Sequence, residues 1–93
     1  MPKYTTDIIA GYTLYFTSKC VIEAMHVHAS DKELSEKRSA KLWVYSNGDT
    51  KIENGGNIAE HDMNKIRQYI KLNYKEMYEK WKKYSKEGFY TNK

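Results

Sequence analysis

The stretch Ala40-Lys41-Leu42-Trp43-Val44-Tyr45-Ser46-Asn47-Gly48-Asp49-Thr50-Lys51-Ile52-Glu53 decides the fold. Its first part alternates, with Leu42 and Val44 on one side and Trp43 and Tyr45 on the other, as a half-buried strand requires. Asn47-Gly48 follows. This pair tolerates positive φ at both central positions, which the commonest two-residue hairpin loop needs. Thr50 to Glu53 then reads as the returning strand of an antiparallel pair.

Upstream, Gly11 precedes Tyr12-Thr13-Leu14-Tyr15-Phe16-Thr17, a run dense in aromatic and β-branched residues that suit a pleated surface. Ser18-Lys19 supplies a turn, and Cys20 to Ala29 reads as a second strand. There Met25, Val27 and Ala29 share one face and His26 and His28 the other. Ser30 to Ser39 is a charged surface excursion containing Arg38.

Downstream, Asn54-Gly55-Gly56 ends the sheet, and Asn57 to Glu60 has the spacing of a capping box. Met63, Ile66, Ile70, Met77, Trp81 and Tyr84 recur at helical intervals. One helix from Glu60 to Lys86 would be about 40 Å long at 1.5 Å per residue. A chain of this size is only about 26 Å across. The reading therefore places a break near Lys71 to Asn73 and two helices within 57–87. The expected fold is α+β: one domain over residues 1–93, with a small antiparallel sheet of three to four strands within 11–53, packed against C-terminal helices.

Composition bounds the function. The 93 residues are 40% hydrophobic and 30% charged, with nine tyrosines and two tryptophans. A lone cysteine, Cys20, excludes an internal disulfide framework and favours a reducing compartment. No run approaches the roughly 20 apolar residues of a membrane span, and the N-terminus lacks a secretory h-region. A cytoplasmic protein with no membrane contact is expected. The net charge is +4; residues 1–59 balance seven basic against seven acidic groups, and residues 60–93 hold nine against five. The excess would attract phosphate, although lysine-rich solvated helix faces give the same count.

No phosphate loop, nucleophile elbow, protease-like Cys–His spacing or nucleic-acid-binding signature occurs, so no catalytic residue is assigned. The sharpest constellation is the His26/His28 pair. The two histidines lie about 6.5–7 Å apart on one strand face and suit a phosphate grip or, with His61 as a third ligand, a divalent metal; Glu23, Asp62 and Cys20 are further candidates. The plain alternative packs the pair at the sheet–helix border. Rings of Tyr12, Tyr15, Trp43 and Tyr45 beside Arg38 and Lys41 suit stacking on a base. The alternative makes Trp43 and Trp81 core anchors.

Met25-His26-Val27-His28, after a Tyr/Phe-rich strand, resembles a small bacterial and phage family catalogued as a domain of unknown function, whose members carry His-x-His on the second strand. Lys41 to Val44, Asn47-Gly48, Ile58 to Asp62 and Glu79-Lys80-Trp81 fall where that pattern would place them. Met25 stands where many members have proline or isoleucine, and a charged loop follows the pair. The resemblance implies a compact α+β fold and a setting near mobile elements or toxin–antitoxin pairs.

The leading expectation is a non-enzymatic binding protein for a phosphate-bearing small molecule or nucleic acid, acting in phage–host defence or counter-defence. Its ligand would contact His26, His28, Trp43, Tyr45, Tyr15, Tyr12, Arg38 and Lys41. A small metal- or histidine-dependent nuclease toxin is the rival. An inhibitor or antitoxin-like subunit with a protein partner is the third reading. A chain this short also gains from homo-oligomerisation, which buries more apolar surface.

Overall fold

The computed structural model describes residues 3–17, 20–31, 39–56 and 58–91, and of Cys20 the backbone alone. Among the described residues five strands, β1 (Lys3–Ile9), β2 (Tyr12–Tyr15), β3 (His26–Ser30), β4 (Ala40–Val44) and β5 (Thr50–Asn54), precede one α-helix, α1 (Glu60–Trp81). A short 3-10 turn, Cys20–Ile22, separates β2 from β3. The strands form a single antiparallel sheet in chain order, β1-β2-β3-β4-β5. The fold is α+β. Among the described residues no helix is long and apolar enough to cross a membrane.

The core lies between one sheet face and the helix. Leu14, Phe16, Val27, Ala29, Ala40, Leu42 and Val44 meet Met63, Ile66, Ile70, Met77 and Trp81, all of them buried. The helical stripe read from the sequence is thus the buried face of α1. Burying each large apolar chain contributes about 1.5–3 kcal/mol, which makes this layer the main stabilising element.

The structure departs from the sequence reading at four points. The sheet has one strand more than expected, β1, which lies ahead of residue 11. Its Ile9 pairs with Tyr12 across Ala10-Gly11, and both loop residues have positive φ, 52° and 89°. That is the two-residue hairpin geometry expected at Asn47-Gly48.

At Asn47-Gly48 only the glycine has positive φ, 89°. The Gly48 N–H donates to the Tyr45 carbonyl and the Tyr45 N–H to the Asp49 carbonyl. This is a three-residue loop ending in a left-handed glycine. A Cβ on Gly48 would also stand 2.5 Å from Cδ1 of Tyr74, so the helix closes over the turn at a distance only glycine allows.

The strand expected over Cys20–Ala29 begins only at His26. The helix is not broken near Lys71 to Asn73. Asn73 donates its side-chain amide to the Tyr69 carbonyl at 2.9 Å, back-bonding within α1 instead of capping a second helix. The expected limit of about 26 Å does not hold: α1 stops at Trp81, and its 22 residues run about 32 Å at 1.5 Å per residue, the whole of a longest dimension of 30 Å between Cα atoms. The N-cap is Ala59, with no side-chain cap bond; the expected box rests on Asn57, outside the described residues.

Beyond Trp81 the chain turns back across the end of the sheet. Gly88 accepts from the Met25 N–H, and the Tyr90 N–H donates to the Val44 carbonyl. Tyr90 also bridges in parallel to Tyr45. The Trp81 indole N–H donates to the Glu87 carbonyl and the Ser85 hydroxyl to the Val21 carbonyl, fixing this return.

Candidate functional site

Strand register gathers the site. His26 stands opposite Trp43 and His28 opposite Lys41 on β4, and Tyr15 on β2 stands opposite His28. Side chains directly opposite on antiparallel strands share a face, so Tyr15, His26, His28, Lys41 and Trp43 are collected on the face opposite Leu42 and Val44; at its end His26 also reaches Trp81, the last residue of α1.

The histidines are enclosed. His26 is 1% exposed and His28 7%. The His26 ring lies 5.2 Å from His28, 5.1 Å from Trp43 and 5.7 Å from Trp81, edge-on to each. His26 Nδ1 is 2.9 Å from the Ala24 carbonyl oxygen. A carbonyl only accepts, so the proton is on Nδ1 and the lone pair on Nε2. Burial pushes the His26 pKa down to about 4, against the Ala24 bond that favours the charged form. At neutral pH this imidazole is uncharged, and the expected ionic grip on phosphate is not available to it. The His28 Nδ1 lies 3.2 Å from the buried Ser39 hydroxyl.

The rim outside the histidines is ionic and aromatic. Lys41 donates to Glu23 at 2.7 Å and lies 3.5 Å from Glu53, and its ammonium stands 4.4 Å from the centre of the Trp43 ring. Burial lowers the Lys41 pKa, but the bonds and charges of Glu23 and Glu53 together outweigh it and leave it raised. Glu23 is correspondingly held below the usual carboxylate range, chiefly by the Lys41 bond. Trp43 is stacked on Tyr90 at 4.6 Å, and Tyr45 stands edge-on to Tyr90 at 5.4 Å. Lys51 lies 5.8 Å from the Tyr90 ring centre. Trp43, Tyr45 and Tyr90 are half-buried.

Other expected residues fall elsewhere. Tyr12, three positions from Tyr15, points to the opposite face and packs against the core. Tyr15 is itself sealed, with its ring 5.6 Å from His28, and presents no surface for stacking. Arg38 lies outside the described residues.

The metal triad is not assembled. His61 is exposed at the start of α1, beside Asp62 at 3.1 Å. Roughly 30 Å of helix separate it from Trp81, at 1.5 Å per residue, whereas Trp81 touches His26. Among the described residues no group of three or more His, Cys, Asp or Glu is placed to hold a metal.

Sequence reasoning missed Tyr90 and Lys51 at this rim. Tyr90 lies beyond the helix, in a segment with no strand or helix periodicity to place it. Lys51 was readable, since it shares the Trp43 face across the hairpin.

Comparison with known proteins adds one finding. The profile of a family described as a domain of unknown function, DUF4160, matches residues 11–82. The His-x-His pair on β3 is the feature by which the sequence resembles it. No curated protein and no solved structure matches the chain.

Proposed function

The chain belongs to the DUF4160 family, and from that premise we propose that it is a non-enzymatic binding protein for a phosphate-bearing ligand with a flat ring, a nucleotide-like molecule or a short single strand. The ligand's ring lies against Tyr45 and Tyr90, and Lys51 meets its phosphate. Trp43 backs the Tyr90 ring, and the neutral, enclosed His26 seats Trp43. In a bacterial or infected cell such a protein would hold a signal or a strand away from the enzymes that use it.

One observation carries this reading: a half-exposed row of rings, Trp43, Tyr90 and Tyr45, flanked by Lys41 and Lys51 on the helix-free side of the sheet. Aromatic rings beside cations on an open sheet face are how single strands are stacked, at about 1–3 kcal/mol per base. Titration with mononucleotides and short oligothymidylate, followed by tryptophan emission, tests it. Trp81 is fully buried, so a change should come from Trp43 and vanish in Trp43→Phe. Unchanged emission and no binding heat at low salt would remove this reading.

A second reading has its own support. Lys41 is paired with two carboxylates, so the rim around Trp43 is close to charge balance. Tyrosine and tryptophan among balanced charges also suit a protein partner. A stable protein complex blocked by Tyr45→Ala, with no nucleotide binding, would favour that reading.

A further inference from the structure

A second basic feature lies away from the sheet-face rim. A groove of about 210 Å³ is lined by Lys3, Phe16, Lys80, Lys83 and Tyr84. Lys3 opens β1, and Lys80 and Lys83 flank the end of α1, so the fold joins cations from opposite ends of the chain. Among the described residues none of the three is within ion-pair distance of a carboxylate, whereas Lys41, Lys71 and Lys82 each hold one. Glu79, the acid beside Lys80 in sequence, is engaged by Lys82 at 2.7 Å. Lys80 is positioned by donating to the Tyr4 carbonyl at 2.7 Å. That neutral acceptor fixes the ammonium, leaves its charge uncompensated and leaves two of its three donors for a ligand.

The floor is Phe16, fully buried, and one wall is Tyr84, 59% exposed and edge-on to Phe16 at 5.4 Å. The groove is smaller than the roughly 300 Å³ of the smallest common ligand pockets. It has room for a phosphate chain, and a base would lie outside it on Tyr84.

We propose that this groove is an anion site for the phosphates of a nucleotide-like ligand, with Lys3, Lys80 and Lys83 on the phosphate oxygens and the Tyr84 ring beside the base. It shares no residue with the Trp43–Tyr90–Tyr45 rim, so either site can fail while the other stands. The ligand is a free nucleotide or the phosphorylated end of a strand, since both present the same groups.

Calorimetric titration of the full chain with tripolyphosphate, ATP and 5′-phosphorylated oligothymidylate tests the site, with amide NMR shifts at Lys3, Lys80, Lys83 and Tyr84 as a local readout. Lys80→Ala with Lys83→Ala should weaken all three probes about tenfold or more, the equivalent of about 1.4 kcal/mol. Tyr84→Ala should weaken ATP at least about fivefold and leave tripolyphosphate unchanged, because only ATP carries a ring to stack. Trp43→Phe should change nothing at this site.

Lys83→Glu, at an exposed position, repeats the test without touching the Lys80–Tyr4 bond. Tighter binding of ATP than of the oligomer identifies a free nucleotide, and the reverse order a strand end; either keeps the site. The proposal is overturned if no probe binds at low salt. It is also overturned if Lys71→Ala with Lys86→Ala weakens binding as much, because the attraction is then diffuse.

Discussion

The indole of Trp43 is stacked on the phenol of Tyr90, 4.6 Å between centroids and 21° between planes. The contact ties the last described segment of the chain to the middle of the sheet. It also makes Trp43 part of a continuous line of ring contacts: Tyr84–Phe16–Trp81–His26–Trp43–Tyr90–Tyr45. The two exposed ends of that line are the two proposed ligand surfaces.

Removing the stack should loosen the tail. Tyr90→Ala is expected to cost about 1–2 kcal/mol, an aromatic pair plus part of a buried ring. Tryptophan emission should shift to the red as water reaches Trp43. Urea unfolding and emission spectra check both; an unchanged midpoint would mean that the tail contributes nothing to the fold.

Stability should depend on His26. Its pKa is about 4 in the folded chain against 6.5 ordinarily, so between these values the unfolded state binds more protons. Stability is therefore full above pH 6.5 and falls as pH drops toward 4, by about 1.4 kcal/mol per pH unit and about 3 kcal/mol in all. Glu23 acts lower: its pKa is depressed below 4.5, so its contribution is present above 4.5 and is lost only further down. His26→Asn keeps a donor toward the Ala24 carbonyl and should remove the slope between pH 6.5 and 4.5 alone. Denaturant midpoints across that range test it, with the Glu23-linked loss at lower pH as internal control.

Two left-handed positions should respond with opposite signs. Ala10 holds φ at 52°, a conformation that costs a residue with a Cβ about 1–2 kcal/mol. Ala10→Gly should relieve that strain and raise stability by about 1 kcal/mol after the added unfolded-state entropy. Gly48→Ala should lower it by about 2–4 kcal/mol, from backbone strain and the Tyr74 ring. Tyr74→Ala should rescue the steric share, and a double-mutant cycle measures how much.

Charge balance at the rim should limit anion binding. Glu23→Gln with Glu53→Gln frees Lys41 from both carboxylates. Stability should move by less than about 1 kcal/mol, since the pairs are partly solvated. Affinity of the sheet face for oligothymidylate should rise several-fold as the freed ammonium takes a phosphate, the equivalent of about 1 kcal/mol. A fall in affinity would instead assign the carboxylates to the ligand contacts.

Much of the frame was legible. The Leu42/Val44 against Trp43/Tyr45 alternation gave β4 its faces, and Met63, Ile66, Ile70, Met77 and Trp81 gave the helix its buried side. β1 was not legible. Of Lys3-Tyr4-Thr5-Thr6-Asp7-Ile8-Ile9 only Tyr4 is buried, and the register shifts within the strand, which erases alternation. In the site, pairing of His26 with Trp43 follows from strand order, but Tyr90 reaches Trp43 through a chain reversal that no local pattern announces.

Local chemistry alone determined which residues alternate, which face of the helix is apolar, and that both histidines leave β3 on one side. Only the tertiary structure decided that the histidines on this side are enclosed, so that His26 is neutral and packs against Trp43. It also decided that Lys3 meets Lys80 and Lys83. The physical reason is that alternation is set by backbone geometry between neighbouring residues. Burial and electrostatic field are set by whatever distant segment comes to lie on top, as when Lys80 bonds Tyr4 across 76 positions of chain.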